Sequence, residues 1–260
     1  MQSLEAELEE ARQLAVDDLA DAIESIGFEC TRCGACCKGH GEDEHTATVF
    51  PDEVRDLEAS AAQRAADNQV ARDSESPSDR VSASSSREQT VEPRDSEGYE
   101  GEYDWRDVAR PMPYGLSETE NGDLEGETFE WALQTDSCGD CTFYEEDEDG
   151  TGACAAHDDR PLICQTYPFS VALAGTSQPM GEAVDTEGVV RAHECEGLGR
   201  AIAREDAEDL ARALKERAVR EIEEAIAVRE TYEPAPPDPG EVVVHDSEGA
   251  KRIDGTPLDD

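Results

Sequence analysis

The stretch CTRCGACCKGH, Cys30 to His40, places four cysteines within eight positions, the last two adjacent. A Cys-x-x-Cys pair lets two thiolates reach one ion because the backbone turns back between them, and two such pairs from distant loops complete the tetrahedral set that zinc prefers. Three thiols at Cys-x-x-Cys-x-x-Cys also suit an iron–sulfur cluster, whose fourth ligand arrives from elsewhere. In the bacterial ferredoxin run the next ligand follows three residues later and precedes proline. Here that position is His40, followed by Gly41, so His40 is a candidate ligand beside its plain reading as a solvated loop histidine.

Partners for this loop lie far along the chain. The remaining cysteines are the pair Cys138 and Cys141, then Cys154, Cys164 and Cys195. Adjacent side chains on extended backbone point to opposite sides, so Cys36 and Cys37 do not both fit a simple single-ion account. Two four-ligand sites with one spare thiol and a bridged polynuclear site are both compatible with nine sulfurs. A redox reading of CGDC, Cys138 to Cys141, calls for a following helix to depress the first thiol's pKa, whereas TFYEEDEDGTG follows. Disulfides are disfavoured by the reducing compartment argued below and by the strain of bridging neighbours.

Outside the cysteines the composition is dominated by acid. The 260 residues carry 65 Asp plus Glu against 22 Lys plus Arg, for a formal charge of -43, with Lys only at 38, 215 and 251. Such a charge self-repels in ordinary buffer, where the Debye length is about 8 Å, and much less at molar salt, where it is about 3 Å. Carboxylates run through every segment, so the charge fits a halophilic, acidic proteome better than a localised acidic tail. A phosphate backbone would be repelled, which argues against nucleic acid as a partner. No apolar run approaches the ~20 residues of a membrane span, and MQSLEAELEEARQ is acidic where a signal peptide is basic and then apolar. The expected location is the cytoplasm, with no membrane partner.

Apolar spacing organises the rest. Leu4, Leu8, Ala11, Ala15, Leu19, Ala22, Ile23 and Ile26 share a helical face, and Gly27 is a stop. HTATVF reads as a short strand, and Pro51 opens a second helix with Val54, Leu57 and Ala61 on one face. GETFEWALQTD reads as one strand with Phe129, Trp131 and Leu133 on its buried side. QTYPFSVALAG and EGVVRAHEC suggest two more strands, and a long helix covers Leu198 to Tyr232, closed by Pro234 and Pro236. Residues 67–100 carry too few large apolar side chains to offset ordering and read as a disordered acidic, Ser-rich insertion. The tail, 233–260, is Pro-rich and acidic, with a possible hairpin around SEG that reads as peripheral. The predicted fold class is α+β: a small metal-stapled, Cys-rich core with short strands and flanking helices, formed as one discontinuous domain from residues 1–66 and 101–232.

CTRCGACC, then CGDCTFYEEDEDGTGACAAHDDRPLICQTYPF, then Cys195, resemble the YkgJ-type cysteine cluster proteins, a family with a CxxCxxCC signature described as chelating zinc or iron. The resemblance covers about Phe28 to Gly197, interrupted by the insertion. It implies that Cys30, Cys33, Cys36, Cys37, Cys154 and Cys164 belong to a metal centre, with Cys138, Cys141 and Cys195 as further members. The cofactor it implies is zinc or iron, including an iron–sulfur cluster. Arg160, in the RP step before Cys164, Arg32 and Lys38 are rare cations that can stabilise an anionic thiolate site. Surface pairing of Arg160 with Asp158 or Asp159 is the competing reading. Tyr167, Pro168, Phe169 and Trp131 are expected core residues. Two further function classes stand beside chelation: an iron–sulfur oxidoreductase or electron carrier with a redox partner, and a zinc-stabilised module that binds another protein.

Overall fold

The structure is a computed structural model that describes residues 3–39, 44–74, 103–119, 121–173 and 183–258; for 67–74 it describes the backbone alone. It is a mixed α+β fold with two hydrophobic clusters.

The first cluster is helical. α1 (Leu4–Gln13), α2 (Val16–Ile26) and the long α6 (Arg204–Thr231) pack together against β8 (Phe169–Val171) and β10 (Val190–His193). α6 buries Ala207, Ala211, Leu214, Ala218 and Ile222, a three- and four-residue spacing that lines one face. The single N-terminal helix expected over Leu4 to Ile26 is two helices, broken at Leu14 and Ala15. The break lets both segments lay their apolar faces on α6, and the Leu14 carbonyl freed there accepts from Lys215 Nζ at 2.7 Å. β9 (Ala183–Asp185) completes an antiparallel sheet in the order β8-β10-β9.

The second cluster gathers β1 (Thr48–Val49), the first turns of α3 (Pro51–Ser74), α4 (Trp105–Val108), β2 (Ala109–Pro111) and β5 (Trp131–Leu133), with Val242 and Val244 of the strand that pairs with β4 (Leu124–Thr128). Trp105 and Trp131 meet edge to face at 5.0 Å in its centre. One antiparallel sheet runs β1-β5-β2. A second runs β12-β11-β4-β3, with β3 (Ser117–Glu118), β11 (Val242–Asp246) and β12 (Gly249–Lys251). The expected strand GETFEWALQTD is therefore divided. Thr128 pairs with Val244 in one sheet, Trp131 pairs with Val49 and Pro111 in the other, and Phe129 between them is half exposed, stacked on His245 at 5.4 Å.

The C-terminal hairpin is not peripheral, as the sequence reading expected. All five residues of β11 are buried, and β11 pairs in parallel with β4. Its chemistry locks it to the tryptophans: Asp246 accepts from Trp131 Nε1 at 2.8 Å and pairs with buried Lys251 at 2.9 Å, whose ammonium lies 5.2 Å from the Trp105 ring centroid. A buried ion pair of this kind offsets its desolvation only when further hydrogen bonds are present, as here. α3 reaches Ser74, eight residues past the boundary expected for the inserted segment, and 75–102 lie outside the described residues. Among the described residues no helix is long and apolar enough to cross a membrane.

Candidate metal centre

The cysteine loop is stitched to the rest of the chain by three backbone hydrogen bonds. Glu29 N–H donates to the Gly197 carbonyl at 3.1 Å, Gly152 N–H to Arg32 at 2.7 Å, and Cys141 N–H to Cys37 at 2.8 Å. Each stitch sets part of the loop beside a distant cysteine segment: Cys30 near Cys195, the middle of the loop beside the strand ending at Cys154, and Cys37 beside Cys141. Cys154 closes β7 (Gly152–Cys154), which pairs with β6 (Tyr144–Glu146) so that Cys154 faces Tyr144 in register. Gly34 makes the tight middle turn possible. Its φ is +76°, and a Cβ there would overlap the Tyr144 hydroxyl, so the tyrosine ring can lie directly on the loop. Tyr144 Oη donates to Glu146 at 2.6 Å, and the same carboxylate pairs with Lys38.

Cys164 arrives on α5 (Leu162–Thr166), a helix too short to hold itself. Two residues that sequence reasoning did not single out fix it. At its start Glu53 accepts from Leu162 N–H at 2.8 Å with one oxygen and from Phe50 N–H at 3.0 Å with the other, joining α5 to the start of α3. At its end the buried Arg217 of α6 donates to Thr166 Oγ1 at 3.0 Å and to the Phe169 carbonyl at 3.3 Å. Glu53 carried a legible signal, standing three residues after Phe50 at a helix start; Arg217 carried none, since its partners lie about 50 residues away.

The thiols act on one another. The sulfurs of Cys36 and Cys37 are 3.8 Å apart. The hydrogen bond with Cys37, with help from the Arg160 charge, draws Cys36 down to about 7. The same bond, together with burial and the charges of Cys36, Cys164 and Cys141, pushes Cys37 far up. Burial raises Cys141 to about 12 and Cys164 well above its ordinary value, and the charges of neighbouring thiols add to both. Cys154 and Cys195 are raised in the same way, by burial first. Tyr167 is pushed to about 12 by burial and then by the charges of Cys195, Cys36 and Cys33, so its ring walls the same site; its hydroxyl donates to the Glu194 carbonyl. Thiolates that oppose one another's ionisation are the setting a bound cation relieves.

Among the described residues no three Cys, His, Asp or Glu donors already surround a common point. A cysteine sulfur travels about 3 Å between staggered χ1 wells, so each donor can shift by that much on a fixed backbone. The donor set is soft thiolate, which suits zinc and iron–sulfur chemistry. Cys138 is set apart: it is exposed, on the turn whose N–H donates to Asp136 Oδ1 at 2.7 Å, while Cys141 is buried. Of the three expected cations, Arg160 turns its Nε to the His157 carbonyl at 2.9 Å and lends its charge to Cys36 and Cys154, while Asp159 pairs with Arg64 at 3.7 Å. Lys38 is engaged by Glu146 and lies 5.1 Å from the Tyr144 ring centroid. Arg32 contributes its carbonyl and a left-handed φ of 58°. His40 lies outside the described residues, whereas His45, not singled out in the sequence, holds the Cys36 carbonyl through Nε2 at 2.9 Å. Phe169 and Trp131 are buried as expected. A groove of about 780 Å³ lies between α3 and the His157–Asp159 turn, lined in part by Glu53, Arg64, Arg160, Leu162 and Arg220.

A family model, CxxCxxCC, described as a "putative zinc- or iron-chelating domain", matches residues 29–196, more than half of the chain. No curated protein and no solved structure matches it.

Proposed function

The chain belongs to the CxxCxxCC family, and on that premise we propose that it is a metal-chelating protein whose thiolates, drawn from the Cys30–Cys37 loop and from the 138–195 segment, jointly hold zinc or iron. The observation that supports this best is the stitching of the loop. Three backbone hydrogen bonds bring thiols more than 100 residues apart in sequence within reach of one another's charge, with Cys141 buried and several others half-buried and mutually repelling.

Each neighbouring residue has a task in this reading. Glu53 and Arg217 hold the two ends of α5 and so position Cys164. His45 fixes the Cys36 carbonyl, and Arg160 lowers the cost of accumulating negative charge at Cys36 and Cys154. Tyr167 and Phe169 keep water from one side. Bound, the ion supplies cross-linking and charge neutralisation; structural zinc contributes about 10–16 kcal/mol of binding free energy to folding. That cohesion suits a chain with two Trp and five Phe.

The test is elemental analysis of the full chain purified without oxygen and in high salt. Stoichiometric zinc in colourless protein, or iron in brown protein with broad absorbance at about 400 nm, is expected. Fully folded, metal-free protein, or sulfurs found joined in disulfides, overturns the proposal.

A further inference from the structure

The thiols are not one undivided group. Cys141 is buried, and Cys37, Cys154 and Cys164 are half-buried and pack against the cluster built around Trp105 and Trp131. Cys30 and Cys36 are exposed, Cys33 and Cys195 are half-buried, and none of these four packs on that cluster. The stitches follow the same division. Glu29 to Gly197 ties Cys30 to the Cys195 segment at the edge of the helical cluster, where Phe28 bridges to Leu198; Cys141 to Cys37 ties the inner thiols together. The two sets meet at the double cysteine, where the sulfur of exposed Cys36 stands 3.8 Å from that of half-buried Cys37.

A tetrahedral thiolate site with bonds of about 2.3 Å takes four sulfurs, which leaves half of these eight unserved by one ion. We propose that the protein holds two abutting metal centres: an inner one on Cys37, Cys141, Cys154 and Cys164, and an outer, exchangeable one on Cys30, Cys33, Cys36 and Cys195. Cys36 and Cys37 form the seam between them. One of the two sulfurs is exposed and the other half-buried on the same turn, so the double cysteine is the means by which one loop serves two centres. Cys138, exposed on its turn, belongs to neither. The inference rests on the chelating function proposed above and adds number, partition and unequal lability to it.

Native mass spectrometry and elemental analysis of the full chain, purified anaerobically, test it. Two centres per chain are expected. Challenge with the chromogenic chelator 4-(2-pyridylazo)resorcinol should release about half of the metal while circular dichroism is unchanged, the rest leaving only on unfolding. Cys195→Ser should retain one centre and the fold, Cys164→Ser should lose the inner centre together with thermal stability, and Cys138→Ser should keep both. Because Cys164→Ser can fail to fold, the Cys195→Ser count is decisive. One centre in the wild type, two in Cys195→Ser, or release in a single step overturns the partition while leaving chelation intact. No metal in folded wild-type protein overturns the chelating function itself.

Discussion

Replacing Glu53 tests how the helix that carries Cys164 is held. Both carboxylate oxygens of Glu53 accept backbone N–H groups, Leu162 at 2.8 Å and Phe50 at 3.0 Å. Hydrogen bonds to a charged group contribute about 1.5–3 kcal/mol each, so the pair sets an upper bound of roughly 6 kcal/mol. Against this stands burial, the largest influence on the group, which raises its pKa despite the two donors. For the charged form desolvation thus outweighs that gain, and the cost of Glu53→Ala comes from leaving the N–H groups of buried Phe50 and Leu162 without a partner, about 2–4 kcal/mol in all. For a chain of this size that lowers Tm by about 6–12 °C. Glu53→Gln keeps one acceptor and should cost about half as much. The local consequence is a loosened α5, so alkylation of Cys164 by iodoacetamide in metal-depleted protein, mapped by mass spectrometry, should accelerate while that of Cys195 does not. A Glu53→Ala variant that melts within 2 °C of the wild type with Cys164 equally protected would refute this account of the anchor.

Gly34→Ala should destabilise by about 2–4 kcal/mol, combining the left-handed conformation at φ +76° with overlap of the Tyr144 ring, and should reduce bound metal; calorimetry with metal analysis checks it, and a neutral result refutes the packing argument. Lys251→Met leaves Asp246 as an unpaired buried carboxylate and should cost about 3–5 kcal/mol in a urea titration, whereas a change below 0.5 kcal/mol (about the size expected of a surface substitution) would return the hairpin to the periphery. Arg55 foremost, and then Lys251, draw the Glu248 carboxyl down to about 2 from 4.5, which corresponds to roughly 3 kcal/mol; with its side chain 42% exposed, screening leaves about 1. Because the folded value is depressed, that stability is present above about pH 4.5 and lost as pH falls toward about 2. Glu248→Gln should therefore be less stable than the wild type at pH 7 and converge with it near pH 2; a difference persisting there counts against the ion pair.

Helical spacing was plainly legible in Leu4 to Ile26 and in α6, because one face of each is repetitively apolar. The kink at Leu14 was not, since it is imposed by packing on a helix 200 residues away. The cysteine groups and their family signature were legible because motif spacing is local information. The anchors of the site were less so: Arg217 and His45 act through backbone carbonyls and hydroxyls that no pattern announces. The burial of the hairpin also leaves a sign in the sequence, though an ambiguous one. Val242 to Val244 form a continuous apolar run, the mark of a strand covered on both faces, but its shortness and charged flanks suggest an edge.

The parallel pairing of β11 with β4 bears on how the molecule is born. During synthesis every thiol has left the ribosome once Cys195 has, whereas the edge of β4 stays bare until Val242 to Val244 emerge nearly fifty residues later. Ion capture can thus precede sheet closure, and a shortened chain ending in the proline-rich linker after α6 would keep all its sulfurs while exposing an unpaired strand to its neighbours.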